Sequence, residues 1–279
     1  MGNLIRAFAF KLRKDWTFRI TLFIGLGLAL MISLIYFVLD KNVFASEESA
    51  AGTLCTGQNL LMSSVNPGQN FGIAVPVNLI TFTVLEFNYG TIRNKIIAGN
   101  SKAKVYFGLL ISGFCFTMLL MVAYIGLSTL LGTIFGGFDI NGNVASLTGA
   151  GGTFNAEFLV KLLVLTVFAY AFITALTIFF ATLFRSIGPC ISVVLLIVLG
   201  FVLIASILGS AAKLTPDLKT ADDVLRVVDP FYFLVNTDVV DGKLTISNQS
   251  FFTELGNNVI YAAAFVVGGF LLFRKRDVK

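Results

Sequence analysis

Six long apolar runs, separated by short polar stretches, dominate this chain of 279 residues. They cover residues 18–39, 71–85, 105–135, 158–184, 189–212 and 259–273. A helix needs about 20 apolar residues to cross the hydrocarbon core of a bilayer, which is roughly 30 Å thick. Four runs reach that length, whereas the second and the sixth, of about 15 residues, must recruit polar neighbours. The pattern predicts an all-α polytopic membrane protein with six transmembrane helices.

Composition and length favour a single membrane domain. Hydrophobic residues make up 57% of the chain, 29 residues are phenylalanine, and only 13% are charged. A soluble protein of this size could not bury so much apolar surface, and no polar stretch is long enough to form a core of its own. The first run is too long for the apolar region of a cleaved signal peptide, so we interpret it as a span. The predicted spans are residues 18–39, 67–86, 104–136, 158–184, 189–212 and 256–274 of one domain, 1–279.

The distribution of positive charge predicts the orientation. Fourteen of the 20 lysine and arginine residues lie in the two termini, in the second–third connection and in the fourth–fifth turn. The positive-inside rule places those regions in the cytoplasm. With an even number of spans, both termini are then cytoplasmic. The net charge of +5 therefore reports topology and attraction to anionic lipid, and it does not indicate a nucleic-acid partner.

The residue inventory excludes several kinds of chemistry. The chain has no histidine, which removes histidine metal sites and Ser-His-Asp triads. Its three cysteines do not form a disulfide framework, because two of them lie inside apolar runs. No phosphate-binding loop is present, so nucleotide hydrolysis by that machinery is excluded. We expect no catalytic residue, no metal site and no cofactor on this chain.

The N-terminal segment has an amphipathic pattern. At 100° per residue, Leu4, Ile5, Phe8, Ala9, Leu12 and Trp16 share one arc, and the basic residues take the other. This pattern predicts an interfacial helix over residues 2–17, although Phe10 falls on the polar side. The alternative is an ordinary basic flank before the first span.

Two further features lie in regions that we expect to face outward. Residues 213–255 form an acidic segment in which Asp229-Pro230 breaks a helical pattern and an aromatic cluster follows. We expect short, partly re-entrant helices that cap the bundle, and a solvated loop is the alternative. Gly132 and Gly136 form a G-x-x-x-G pattern, which is either a helix-packing face or a coincidence in a chain with 26 glycines.

The connection at residues 87–103 has the most informative order of residues. Gly90 allows a sharp turn at the membrane exit, Thr91 can cap a short helix through Ile97, and Gly99 can end it. Ser101 can cap the third span. The pattern predicts a compact basic helix on the cytoplasmic surface, with Ile92, Ile96 and Ile97 available for docking. A merely basic loop would not require this order. Glu86 either bonds to a basic residue of this region or simply marks the membrane boundary.

This order resembles the permease subunits of type-2 ATP-binding-cassette (ABC) exporters. In that family a glutamate ends the second span, G-T-x-R follows, and then comes G-x-S with a basic residue. Here the matching residues are Glu86, Gly90, Thr91, Arg93, Gly99, Ser101 and Lys102. Lys102 stands where the family often has arginine. With Lys95, these residues are the candidate coupling contacts, and the predicted architecture is similar over the whole chain.

The resemblance implies a permease domain that forms a translocation pathway with a second copy or a sister permease. Separate cytoplasmic ABC ATPase subunits would carry ATP and magnesium and would contact residues 87–103. The chain looks most like bacterial permeases of drug or antimicrobial-peptide export and immunity, in the plasma membrane. The alternative is an ATP-independent secondary carrier or a structural or sensory membrane subunit. The near absence of carboxylates inside the six runs argues against an ion-coupled carrier.

The second span also carries a polar face. Asn70, Asn78 and Thr81 recur at helical spacing, and Pro76 interrupts the hydrogen-bond ladder within that face. Amide groups facing lipid are costly without partners, so this face should turn toward protein or a water-filled cavity. We expect these residues to line a pathway between two permeases. The alternative is a polar contact between helices of one subunit.

Overall fold

The computed structural model describes residues 6–8, 10, 14, 16–43, 55–65, 71–139, 142–144, 152–184, 186–214, 224–225, 228–231 and 238–275. Within these ranges the helices are α1 (Trp16–Val43), α2 (Gly57–Val65), α3 (Phe71–Asn88), α4 (Thr91–Ile97), α5 (Lys102–Gly136), α6 (Ala156–Phe184), α7 (Ile187–Leu214) and α8 (Asn248–Lys275). The strands are β1 (Asn143–Val144), β2 (Gly152–Thr153), β3 (Asp238–Val240) and β4 (Lys243–Thr245). The chain is mostly helical, as its apolar runs predict.

Five of these helices, α1 and α5–α8, are long and apolar enough to cross a membrane. The protein is therefore a multi-pass membrane protein. The shorter apolar helix α3 corresponds to the second predicted span. Helix α8 begins at Asn248, before the predicted start of the last span at residue 256. The Ser247 hydroxyl accepts the Ser250 N–H at 3.1 Å, which caps a polar first turn.

Helix α6 is the central element of the bundle and packs against α3, α5, α7 and α8. A hydroxyl contact joins α5 to α6 within the core, where Thr174 Oγ1 lies 3.2 Å from Thr117 Oγ1. At the end of α8, the Tyr106 hydroxyl donates to the Val266 carbonyl at 3.1 Å, and the Tyr106 ring lies directly against Gly269. A side chain at Gly269 would collide with that ring, so the close approach of α5 and α8 requires glycine there.

Helix α1 packs against α3 and α5 through a stripe of small residues. Thr21, Gly25, Ala29 and Ser33 recur every four residues, and all four are buried. Small side chains let helix backbones approach closely, which is the main source of packing between helices in lipid. The opposite face of α1, which includes Phe23 and Met31, is exposed and is suited to contact with lipid.

The pattern at Gly132 and Gly136 is a helix-packing face, as one of the two interpretations proposed. Helix α2 packs across these glycines of α5. A Cβ atom at Gly132 would lie 2.8 Å from the Thr56 carbonyl oxygen and 2.9 Å from Gly57 Cα. The Gly57 N–H donates to the Gly137 carbonyl at 2.9 Å, so the two chain segments are in backbone contact.

The bundle has two distinct ends. One carries α4 and is called the α4 end. The other carries a small sheet in the order β1-β2-β4-β3 and is called the sheet end. The all-α prediction did not include these strands, of which β3 and β4 form a hairpin before the last span. Asp241 and Gly242 both have positive φ, at 52° and 74°, which suits the tight two-residue turn favoured by Asp-Gly. In the described part of the predicted helix before Asp229, residues 224–225 and 228 are helical.

Side chains at the start of α6 hold the sheet to the bundle. Asn155 Oδ1 accepts the Phe158 N–H at 2.7 Å and caps α6, while its amide donates to the Leu244 carbonyl at 3.3 Å. Lys161 Nζ donates to the Ile246 carbonyl at 2.9 Å and to Asn248 Oδ1 at 2.8 Å. The sheet is therefore joined to the starts of both α6 and α8.

Candidate functional site

The turn between α3 and α5 has the compact geometry that its glycines predict. Gly90 adopts φ 64° and Gly99 adopts φ 89°, and both are left-handed conformations that favour glycine. Between them lies α4, from Thr91 to Ile97. Ser101 caps α5 by accepting the Lys104 N–H at 3.3 Å, as expected. The expected cap at Thr91 is wrong, because Gly90 occupies the N-cap position and Thr91 is already helical.

Glu86 ends α3 with a fully buried side chain that bonds to α4. Its Oε2 atom lies 3.0 Å from Lys95 Nζ and 2.7 Å from Thr91 Oγ1. Thr91 Oγ1 is also 2.8 Å from the Glu86 carbonyl oxygen, so one hydroxyl proton serves either acceptor. Of the two roles considered for Glu86, the structure therefore shows the bond to a basic residue. Thr91 helps to join α4 to α3 through its side chain rather than as a cap.

Lys95 points inward and connects three parts of the chain. Besides its bond to Glu86, its ammonium lies 3.2 Å from the centroid of the Phe8 ring. Phe8 is fully buried, whereas Arg6, Phe10 and Lys14 of the same N-terminal segment are exposed. The burial of Phe8 and the exposure of the other three agree with the amphipathic pattern. Trp16, which belongs to the same apolar arc as Phe8, is exposed, and the other residues of that arc have no described side chain. The cation–π contact holds the N-terminal segment against α4.

The outward face of α4 combines apolar and basic groups. Ile97 is 71% exposed, Tyr89 is 70% exposed, and Arg93 projects between them. The expectation that three isoleucines are available for docking is wrong for two of them. Ile92 is fully buried, and Ile96 packs against the core. Tyr89, Arg93 and Ile97 are hereafter the α4 face.

Lys102 and the remaining candidate residues lie beside this face. Lys102 Nζ donates to the Arg274 carbonyl at 3.1 Å and so joins the start of α5 to the end of α8. Asn100 donates through Nδ2 to the Lys95 carbonyl at 2.9 Å and closes the turn after α4. The structure thus brings together the whole set from Glu86 to Lys102, with Glu86, Thr91 and Lys95 facing inward and Arg93 outward.

The polar face of α3 contacts a neighbouring helix of the same chain. Asn78 is buried, and its amide Nδ2 donates to Thr21 Oγ1 of α1. This contact supports the alternative of a polar contact between helices of one subunit, and pathway lining by Asn78 stays a prediction. Thr81 is half-buried and donates to the Val77 carbonyl at 2.8 Å. Asn70 lies outside the described residues.

Replacing Asn78 with leucine should destabilise the packing of α1 on α3. Hydrogen bonds between membrane helices contribute about 0.6 kcal/mol on average, so we expect a loss of about that size. A double-mutant cycle with Thr21→Val, measured by reversible unfolding in mixed micelles, checks the coupling. A change in transport by Asn78→Leu, without coupling energy between Asn78 and Thr21, would instead support a pathway role for Asn78.

Two buried carboxyl groups at the sheet end were missed by sequence reasoning. Asp229 is fully buried, and Glu254 of α8 is 1% exposed. Both lie outside the apolar runs, where charged residues are normally solvated. The useful signal was the Asp229-Pro230-Phe231 order, since an aromatic residue after a break can carry its neighbours into a core. Among the described residues, no group of three or more Cys, Asp or Glu residues could hold a metal ion.

No protein-family model matches this chain, and neither does any curated protein or solved structure.

Proposed function

We propose that this protein is the membrane-spanning permease subunit of an ATP-driven ABC exporter. In this proposal α3 crosses the membrane as the second of six spans, and both termini and the α4 end face the cytoplasm of a bacterial cell. Helix α3 has 18 residues, or about 27 Å of helix, so it needs only slight thinning of the bilayer or extension by neighbouring residues. A second copy or a sister permease completes the pathway.

The observation that carries the proposal is the construction of α4. The helix is short, enclosed by two glycines with positive φ, and bonded to the end of α3 through a buried ion pair. It therefore moves as one body with α3. It also presents an apolar and basic face away from the bundle, which suits a protein partner with acidic and apolar groups. Cytoplasmic ATPase subunits with bound ATP and magnesium would engage the α4 face, and their closure would move α3.

A photo-crosslinking amino acid at Ile97 tests this contact in cells that express the full chain with its chromosomal neighbours. We expect Ile97 to crosslink a protein with a phosphate-binding loop, identified by mass spectrometry. The same amino acid at Leu196, which is 74% exposed on α7, is the control and should crosslink no ATPase. Crosslinking of an ATPase at both positions, or at neither, would count against the α4 face.

Reversal of the charge at Arg93 should uncouple export from ATP hydrolysis. Arg93→Glu places a carboxylate on a face that we expect to meet acidic groups, and like charges across an interface are costly. We expect at least a tenfold loss of ATP-dependent export in proteoliposomes, with normal insertion and folding. Lys243→Glu is the matched control, because it reverses the charge of an exposed lysine at the start of β4, at the sheet end.

The alternative, an ATP-independent carrier or a structural or sensory subunit, predicts a different result in the same proteoliposomes. A carrier would export without ATP, and a structural or sensory subunit would not export at all. In either case the Arg93 substitution would make no difference. Transport driven by an ion gradient in vesicles that contain this chain alone would establish the carrier and overturn the exporter proposal.

A further inference from the structure

Residues 229–231 are buried between two long helices, and Val228 at the edge of this segment is exposed. The Tyr261 hydroxyl of α8 donates to the Val228 carbonyl at 2.9 Å, and Asn258 Nδ2 donates to the Pro230 carbonyl at 3.0 Å. Phe231 is fully buried against Phe172, with ring centroids 5.7 Å apart. Because Phe172 lies near the middle of α6, the segment reaches well into the helix bundle from the sheet end.

This seat places a carboxyl group where water does not reach. Asp229 is fully buried, and its Oδ1 atom accepts the Phe231 N–H at 2.8 Å. Among the residues that the structure describes, Oδ2 has no hydrogen-bond donor. Burial of an ionised carboxylate with one neutral donor is costly, because the lost hydration is only partly replaced.

The side-chain amide of Asn258, which binds the Pro230 carbonyl, also has a buried oxygen without a donor among the described residues. Asn258 Nδ2 lies against two carbonyl oxygens, those of Pro230 and Glu254 at 3.0 Å and 2.9 Å. Carbonyl oxygens only accept, so this contact fixes which end of the amide carries the nitrogen. Asn258 Oδ1 is then left without a donor within the described part of the chain. Asn258 Oδ1 and Asp229 Oδ2 are therefore two buried oxygen atoms without a donor among the described residues, and a proton on Asp229 would remove the need for a donor to Oδ2.

Among the described residues, no cation is bonded to the Asp229 carboxyl group. On α8 the described groups beside the segment are the buried Glu254, one turn before Asn258, and the Tyr261 hydroxyl that bonds to Val228. On α6 the packed residue is Phe172. Arg226 lies outside the described residues. Burial raises the pKa of Asp229 to about 7, while the Phe231 N–H bond acts in the opposite direction.

We propose that Asp229 is a proton-binding site, and that the bound proton holds residues 228–231 in their seat between α6 and α8. The proton comes from water and sits on Oδ2, and no covalent bond other than O–H forms or breaks. Loss of the proton leaves a buried carboxylate, so the segment leaves its seat to hydrate the charge. The site is independent of the exporter proposal and requires no ATPase.

The pH dependence follows from the direction of the pKa change. The carboxyl group holds its proton more tightly when seated than when exposed to water, where its pKa is about 4. Seating is therefore strongest at or below about pH 4 and weakens as the pH rises to about 7. Because a single proton is involved, the equilibrium constant between the seated and the unseated segment changes by at most tenfold per pH unit. Above about pH 7 this constant no longer changes with pH.

Hydrogen–deuterium exchange of the full chain in nanodiscs tests this site. The amides of Asp229 and Phe231 report on seating, after correction for the intrinsic pH dependence of exchange. We expect protection to fall by up to tenfold per pH unit between about pH 5 and pH 7, and then to level. Asp229→Asn keeps the Oδ1 acceptor and replaces the acid proton with an amide donor. It should retain the acidic-pH protection at every pH.

Three controls keep the assignment to Asp229 specific. Glu254→Gln should leave the slope in place, and so should Arg226→Gln. A slope that persists in Asp229→Asn, or disappears in Glu254→Gln, would overturn the assignment. Protection in the wild-type protein that does not change with pH would also overturn the assignment. This result does not depend on whether Asp229→Asn folds. Protection that increases with sodium concentration at constant pH would identify a cation site instead and would also contradict the proposal.

Discussion

Replacement of Lys95 by methionine should cost about 3 kcal/mol of stability, because it removes a cation that is bonded to the buried Glu86 carboxylate. The Glu86 side chain is fully buried, and the side chain of Lys95 is only 20% exposed, so water screens the pair weakly. The substitution also removes the cation over Phe8, for which contact about 1 kcal/mol is typical. We therefore expect both α4 and the N-terminal segment to loosen together.

Reversible unfolding in mixed micelles measures this loss, and hydrogen exchange of α4 and of the N-terminal segment shows where it occurs. Lys104→Met is the matched control, since Lys104 is an exposed lysine only nine residues further along the chain. It should change stability by less than about 0.5 kcal/mol. Adding Glu86→Gln to Lys95→Met should recover part of the loss, because the neutral amide is cheaper to bury. No recovery in the double variant would show that the two residues are not energetically coupled.

The inward position of Lys95 changes how the α4 region should be read. Composition alone groups Lys95 with Arg93 as basic residues available to a partner. At 100° per residue, however, Arg93 and Ile97 lie within 40° of each other, and Lys95 lies on the opposite side of the helix. The sequence therefore contained enough information to separate the two roles. It did not show that the Glu86 side chain is buried or which basic residue bonds to it.

The long helices and the α4 turn were predictable because local chemistry determines them. Apolar runs of sufficient length have to form helices in lipid, and Gly90, Gly99 and Ser101 act within one turn of their own positions. The helix ends were less accurate, since a capped polar turn such as the one after Ser247 extends a helix beyond its apolar run.

The features that were missed depend on contacts between distant parts of the chain. Strands β1 and β2 have two residues each, too few for an alternating pattern, although the Asp241-Gly242 pair was a usable hairpin signal. Periodicity indicated that Asn78 should face protein, but it could not identify Thr21 as the partner. Burial of Asp229 depends on Phe231 reaching Phe172, a contact between residues 59 positions apart in the chain.

Gly132→Ala should separate α2 from α5 at a cost of about 2 kcal/mol. The added methyl would lie 2.8 Å from the Thr56 carbonyl oxygen and 2.9 Å from Gly57 Cα. These are backbone atoms, and neither can rotate away as the end of a flexible side chain could. Gly126→Ala is the matched control on the same helix, since a Cβ atom there has no neighbour within 4 Å. The control should be neutral or stabilise the helix by up to about 1 kcal/mol.

Cys55 reports this separation directly, since it immediately precedes the contact and its thiol is buried with Sγ 3.7 Å from the Ser33 carbonyl oxygen. Burial, and then the charge of Asp40, raise the pKa of the Cys55 thiol, so little reactive thiolate is present at neutral pH. Once α2 shifts, the thiol gains water and its pKa falls toward the ordinary value. In a Cys115→Ser background, which removes the exposed cysteine, we expect maleimide labelling at least tenfold faster in Gly132→Ala and unchanged in Gly126→Ala. Equal labelling rates in the two variants would mean that α2 is held by contacts other than the close approach at Gly132, because a backbone collision at that glycine must displace the residues beside Cys55.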